Sequence, residues 1–135
     1  MKKTITTLLL AISISGCAGL GVATVGAVMY YKSQNHEVAS VDISAPPKNV
    51  YKAALNAVEA NPSIVILNKN DSAMLLDLRQ NENNGSIKVM ALNSKVSQLT
   101  ITSGLTSNNE TTPLMAVLKI CKDLKVECKE SQKKS

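Results

Sequence analysis

Met74-Leu75-Leu76-Asp77-Leu78-Arg79-Gln80-Asn81-Glu82-Asn83-Asn84-Gly85-Ser86-Ile87-Lys88-Val89-Met90-Ala91-Leu92 is two runs of alternating polarity around an Asn/Gly turn. In residues 73–80, Met74, Leu76 and Leu78 share one side, and Asp77 and Arg79 the other. In residues 86–92, Ile87, Val89 and Ala91 oppose Lys88 and Met90. Strict period two is what a strand with one buried face requires. Asn84-Gly85 tolerates positive φ, so residues 81–85 are predicted to be a hairpin loop.

The same grammar extends both ways. Residues 63–67 form a short β-branched run, and Asn68-Lys69-Asn70-Asp71 after it is turn chemistry. Residues 95–102 set Leu99 and Ile101 against Gln98 and Thr100, and residues 37–43 set Val41 and Ile43 against Ser40 and Asp42. Ser44-Ala45-Pro46-Pro47 opens a helix, because proline suits the first helical position. Val50, Tyr51, Ala54, Leu55 and Val58 make its apolar stripe, and Asn61-Pro62 ends it. Thr112-Pro113 opens a second helix, with Leu114, Val117, Leu118, Cys121 and Leu124 as its apolar side. Strands joined by tight turns pair antiparallel, and two amphipathic helices need one apolar sheet face between them. The expected fold is α+β and two-layered, in the order β-α-β-β-β-β-α. An antiparallel sheet of 4–5 strands carries both helices on one face.

The N-terminus reads as an address. Lys2 and Lys3 precede an apolar run over residues 5–14, the layout of a secretory signal peptide. It ends in Ile14-Ser15-Gly16-Cys17, which resembles a bacterial lipobox. That resemblance implies a diacylglycerol on the Cys17 thiol, cleavage before it, and further acylation of the new amine, palmitate being a typical chain. Two or three chains hold a protein stably where one does not. Ala18, rather than Asp, follows the cysteine, which in such lipoproteins implies export to the outer membrane. An uncleaved transmembrane anchor competes with this reading, since residues 8–31 carry no charge. The domains expected are 1–16 as signal peptide, 17–35 as lipidated cysteine and membrane-proximal spacer, 36–128 as one soluble domain, and 129–135 as a charged tail.

Composition narrows the function classes. The chain has 135 residues, 15 basic and 10 acidic. Removing Lys2 and Lys3 leaves 13 basic against 10 acidic, a formal charge of about +3. There is no Phe or Trp, and the aromatics are Tyr30, Tyr31 and Tyr51. Nucleic-acid binders need a dense basic face with rings to stack on, so that class is excluded. With Cys17 committed to lipid, Cys121 and Cys128 remain as an even pair in an oxidising compartment. In one continuous helix they would stand about 10 Å apart, too far to bridge. They meet if the helix ends near residue 124 and the chain doubles back. Two buried thiols are the alternative.

Gly16-Cys17-Ala18, the Gly/Ala-rich run after it, Tyr30-Tyr31-Lys32 and Val50-Tyr51-Lys52-Ala53-Ala54 together resemble a family of short, uncharacterised Gram-negative lipoproteins. The chain is also similar to a member of that type tied to virulence in an intracellular pathogen. The resemblance implies an envelope domain that binds phospholipid or protein partners, and it carries over no catalytic residue.

The residues themselves offer no catalytic set, no metal-ligand spacing and no cofactor motif. His36 is the single histidine, in a polar lead-in with no Ser, Cys or carboxylate pair set to use it. The chain is therefore expected to be no enzyme. It reads as a tethered, non-catalytic envelope interaction module, held to the membrane by its anchor and contacting an envelope or host protein. The alternative is a domain for lipid or a small apolar ligand. Its cavity, between helices and sheet, would be lined by Met74, Leu76, Met90 and Leu118.

Overall fold

The computed structural model describes residues 25–131. Cys17, the signal segment, Lys133 and Lys134 lie outside the described residues. The chain runs β1 (Ala27–Lys32), β2 (His36–Ile43), α1 (Pro47–Glu59), β3 (Ile64–Asn70), β4 (Leu75–Gln80), β5 (Asn83–Ala91), β6 (Ser97–Gly104), α2 (Pro113–Asp123) and β7 (Lys129–Glu130). The fold is α+β, but the sheet has seven strands, not 4–5, in the order β3-β4-β5-β6-β2-β1-β7. Every pairing is antiparallel except β7 on β1, which is parallel.

The period-two positions supply the core. Leu76 and Leu78, Ile87 and Val89, Leu99 and Ile101, and Ala39, Val41 and Ile43 are all buried on one face. Helix α1 covers β3, β5 and β6, and α2 covers β2, β6 and β1. The α1 stripe buries Val50, Tyr51, Ala53, Ala54 and Val58. Helix α2 is rotated from its expected face. Val117, Ile120 and Cys121 are buried, while Leu118 is 36% exposed. Two overlapping stripes of similar hydrophobicity exist on that helix, and docking against β2 and β6 selects the one through Ile120.

Three local expectations change. The expected spacer over 17–35 gives way to a strand in its C-terminal part, because Val28 and Tyr30 alternate with Met29 and Tyr31 and turn inward. The expected tail over 129–135 begins with β7, which pairs with β1. The folded unit therefore exceeds 36–128 at both ends. The hairpin after β4 is tighter than residues 81–85. Gln80 pairs with Asn83, and Asn81 takes the positive φ of 57°. Gly85 sits inside β5 instead. A Cβ there would stand 2.7 Å from the Thr102 carbonyl oxygen, so glycine is required by the approach of β6.

Helix α2 stops at Asp123, and Lys125 turns the chain back at φ 61°. Cys121 and Cys128 are joined, with Cα atoms 6.1 Å apart. The returning segment then lies on β1. The Lys129 amide donates to the Gly26 carbonyl at 2.9 Å and the Ser131 amide to that of Val28 at 2.8 Å. Gly26, at φ 86°, admits this contact, since a Cβ would fall 2.6 Å from the Glu127 carbonyl oxygen.

Both side chains of β7 are exposed, so the crosslink and these amides are what hold it. Replacing Cys121 and Cys128 by Ser is expected to cost about 2–3 kcal/mol of unfolding free energy, from the lost loop-closure constraint. It should also speed hydrogen exchange at the Lys129 and Ser131 amides. Denaturant titration and exchange mass spectrometry measure both, and unchanged exchange at these two amides would refute the role given to the crosslink.

Candidate binding cleft

The rows of inward residues differ along the sheet. The middle row runs Leu76, Ile87, Ile101, Ala39 and is wholly aliphatic. The row at the end marked by His36, Gly104 and Gln80 runs Leu78, Gly85, Ser103, Glu37. Two of those four residues are small and one is charged. Above this end the helices also present small side chains, Ala57 and Ala60 from α1 and Ala116 from α2. The layers cannot close there. Between the helices, over Ile64 and Ile87, lies a cleft of about 530 Å³ walled by Ala57, Ala60, Pro62, Met115, Ala116 and Ile120, with Asn61, Thr111 and Lys119 as its polar lining. A second pocket of about 60 Å³ shares Ile64, Ile87, Thr111 and Ala116 with it and continues beneath α2.

Residues 105–112 form the rim, pinned by side chains from the sheet. Glu37 is 1% exposed. Its carboxylate accepts from the Thr106 amide and hydroxyl, both at 2.6 Å, and from the Tyr30 hydroxyl. Glu110, also buried, accepts from the Ser107 amide at 2.7 Å, Asn83 Nδ2 at 3.0 Å and Asn81 Nδ2 at 3.1 Å. Gln80 brackets Thr111, accepting from its amide at 3.1 Å and donating to its carbonyl at 3.3 Å. Asn83 Nδ2 also donates to the Leu105 carbonyl at 2.8 Å.

These contacts set the protonation states. Burial pushes the Glu37 carboxyl up, but the donors Thr106 and Tyr30 outweigh it and hold it below the usual carboxylate value. Glu110 is held low by the Ser107 amide and Asn81, against its own burial. Tyr30 is pushed up to about 12 by burial and by its bond to Glu37. Tyr51 is likewise raised to about 12 by burial and by its 2.7 Å bond to Asp71. Both buried carboxylates are ionised acceptors already engaged by the rim. These two carboxylates hold the shape of the rim.

None of the four residues expected to line a cavity, Met74, Leu76, Met90 and Leu118, lines the cleft or the smaller pocket. Leu76 is in the core at 0% exposure, and Met74 is half-buried in the β3–β4 turn. Met90 is 44% exposed because period two sends it to the opposite face from Val89. Leu118 is turned out with the unused stripe of α2. The cleft is lined by other residues. The signal for it was the small side chains Ala57, Ala60 and Ala116, while Gly85 and Ser103 make room only for the smaller pocket. His36 Nδ1 lies 3.1 Å from Ser33 Oγ, so a serine does stand beside it. That hydroxyl accepts from the amides of Asn35 and His36, and thereby closes the β1–β2 turn. Among the described residues, no group of three or more His, Cys, Asp or Glu side chains is placed to hold a metal ion.

A family profile described as "Protein of unknown function (DUF3568)" matches residues 1–116. No curated protein matches the chain. Among solved structures, the chain is similar to the crystal structure of Zhui aromatase/cyclase from Streptomyces sp. R1128. The identity is 14% and the TM-score 0.40, over 65% of this chain and 84% of that one.

The protonation states predict a bounded pH range of stability. Glu37 and Glu110 lie below their unfolded value, so their contribution is present above about pH 4.3 and is lost as pH falls through the depressed native values. Tyr30 and Tyr51 lie above theirs, so their contribution is complete below about pH 10 and is lost as pH rises through about 12. Glu37→Gln should lower stability at neutral pH by about 2 kcal/mol or more and flatten the acid limb. Thermal unfolding across pH, with ultraviolet titration of the tyrosines, checks both limbs. An acid limb unchanged in Glu37→Gln would contradict the assignment.

Proposed function

We propose, for a chain that belongs to the protein family of unknown function DUF3568, that it is a membrane-tethered lipoprotein acting by binding rather than catalysis, with the cleft as its contact site. One observation carries this reading. The chain enters the fold at one end of the sheet, where Val25 bridges to Asp42. The cleft opens at the other end, beside Gly104 and Gln80. Strand β2 separates them by about 24 Å. Val25 lies eight residues after Cys17, a reach of about 29 Å at most. A lipid on Cys17 would hold the near end close to the bilayer and turn the cleft toward the aqueous side.

The lipidated reading of Ile14-Ser15-Gly16-Cys17 rests on its lipobox pattern after Lys2, Lys3 and the apolar run. Residues 27–31 of the uncharged stretch belong to strand β1. The lipoprotein resemblance adds the outer membrane as destination and an envelope or host protein as partner, in a virulence setting. The second reading, a small apolar ligand, is favoured by the aliphatic walls and by a volume within the about 300–1,000 Å³ of small-molecule sites.

Radiolabelled palmitate should enter the wild type and not Cys17→Ser, and the wild type should fractionate with the outer membrane. Equal labelling of both would remove the tether. A photo-crosslinking residue at Met115, on the cleft wall, should capture a saturable partner in intact cells. One at Lys88, on the outer face of the sheet, should not. Equal capture from both positions would remove the cleft as the contact site.

A further inference from the structure

The inner pocket limits what the cleft can hold. Its volume of about 60 Å³ is lined by Ile64, Leu78, Ile87 and Ile101 and by six polar residues. A buried water needs two to four polar partners. Five of those polar side chains are already engaged: Gln80 with Thr111, Asn83 with Leu105 and Glu110, Ser103 with the Gly104 carbonyl, Thr111 with Asn61, and Thr112 with the Met115 amide. The pocket therefore favours an apolar occupant. It is well below the about 150 Å³ of an engineered cavity that accepts benzene. A ring is excluded, and the end of an unbranched chain is not. The outer cleft is roomy enough for the rest of such a chain. Among the described residues, Lys119 is the one charged side chain on the cleft wall, and no carboxylate lines it. Its ammonium stands 3.2 Å from Asp123 in an exposed pair, a contact of little strength that a ligand anion can replace.

We infer that the cleft binds one unbranched alkyl chain ending in a carboxylate, a fatty acid, with its tail under Thr111 and Ala116 and its head beside Lys119. This inference rests on the second reading of the cleft, a site for a small apolar ligand, and names the ligand class. Aliphatic walls supply the affinity, the narrow pocket rejects branched and aromatic tails, and Lys119 sets the orientation. The reason lies in the amino acids themselves. Gly85, Ala57 and Ala116 leave the space, and glycine at 85 is required by the approach of Thr102.

The test uses the full-length chain in phospholipid vesicles and dodecanoate carrying a diazirine in the carboxyl half of its chain, which the roomier outer cleft would hold while the plain tail enters the pocket. Irradiation should label peptides containing Ile64, Ile87 or Ala116, saturably. Excess dodecanoate should compete, and adamantane carboxylate should not. Each excluded methylene weakens binding about fourfold, so Ala116→Leu, which fills the pocket, should cut labelling about tenfold while the melting temperature holds. If that variant unfolds, Ala57→Leu at the outer wall serves instead. Lys119→Gln should weaken the carboxylate probe and leave the matching alcohol unaffected. Labelling confined to residues 25–32, labelling that does not saturate, or labelling unchanged by the filling variant would overturn the inference. Capture of a partner at Met115 without any fatty-acid labelling would sink this inference alone and leave the binding module standing.

Discussion

The ladder between β2 and β6 is the constraint on which the other features depend. Eight consecutive pairs, from His36 with Gly104 to Ile43 with Ser97, join segments about sixty residues apart in the chain. Without it, the N-terminal hairpin and the four-strand meander are separate pieces, each with an apolar face exposed. With it, the inward residues of six strands form one surface broad enough for two helices. Closing so long a loop costs entropy that only the completed pairing and the burial of Val41, Leu99 and their neighbours can offset.

The same ladder decides where the molecule is rigid and where it is open. It sets Glu37 opposite Ser103, directly below the chain that leaves β6. A carboxylate buried there would be unfavourable alone. The Thr106 amide and hydroxyl and the Tyr30 hydroxyl turn it into the fastening of the rim. Glu110 fastens the far side of that rim to the β4–β5 turn. A rim held by two ionised acceptors and their donors has little freedom to collapse into the space beneath it. The cleft is thus kept open by polar contacts and walled by apolar ones.

The core without large rings explains the rest. Tyr51 is the one aromatic side chain in the buried core, and its hydroxyl is tied to Asp71. Leu, Ile and Val fill the middle of the sheet well. At the cleft end, Ala57, Ala60 and Ala116 are too small to close the space between Ile64, Ile87, Met115 and Ile120. At the other end the crosslinked return of the chain onto β1 seals the edge beside Gly26, where the chain enters the fold. One end of the domain is closed covalently, and the other is held open.

Much of this was legible from residue order alone. Leu76 and Leu78, Ile87 and Val89, and Leu99 and Ile101 identify strands because a pleated chain turns every second side chain the same way. Thr112-Pro113 marks a helix start because a hydroxyl and a ring satisfy its first turn. The spacing of Cys121 and Cys128 left two outcomes, and only the turn at Lys125 decided between them. Strand β1 was hidden because an uncharged stretch after a lipobox reads equally as a spacer, and its partners lie in β2 and in residues beyond 128. Which stripe of α2 faces inward depended on the surface it met. Period two puts Glu37 on the face of Val41 and Ile43, but nothing near it in the chain accounts for a buried carboxylate, since its donor Thr106 stands 69 residues away. Local periodicity thus determined which segments are strands and helices. Tertiary structure decided what lies at the end of the sheet, because a cleft exists only where side chains from distant segments fail to fill the same space.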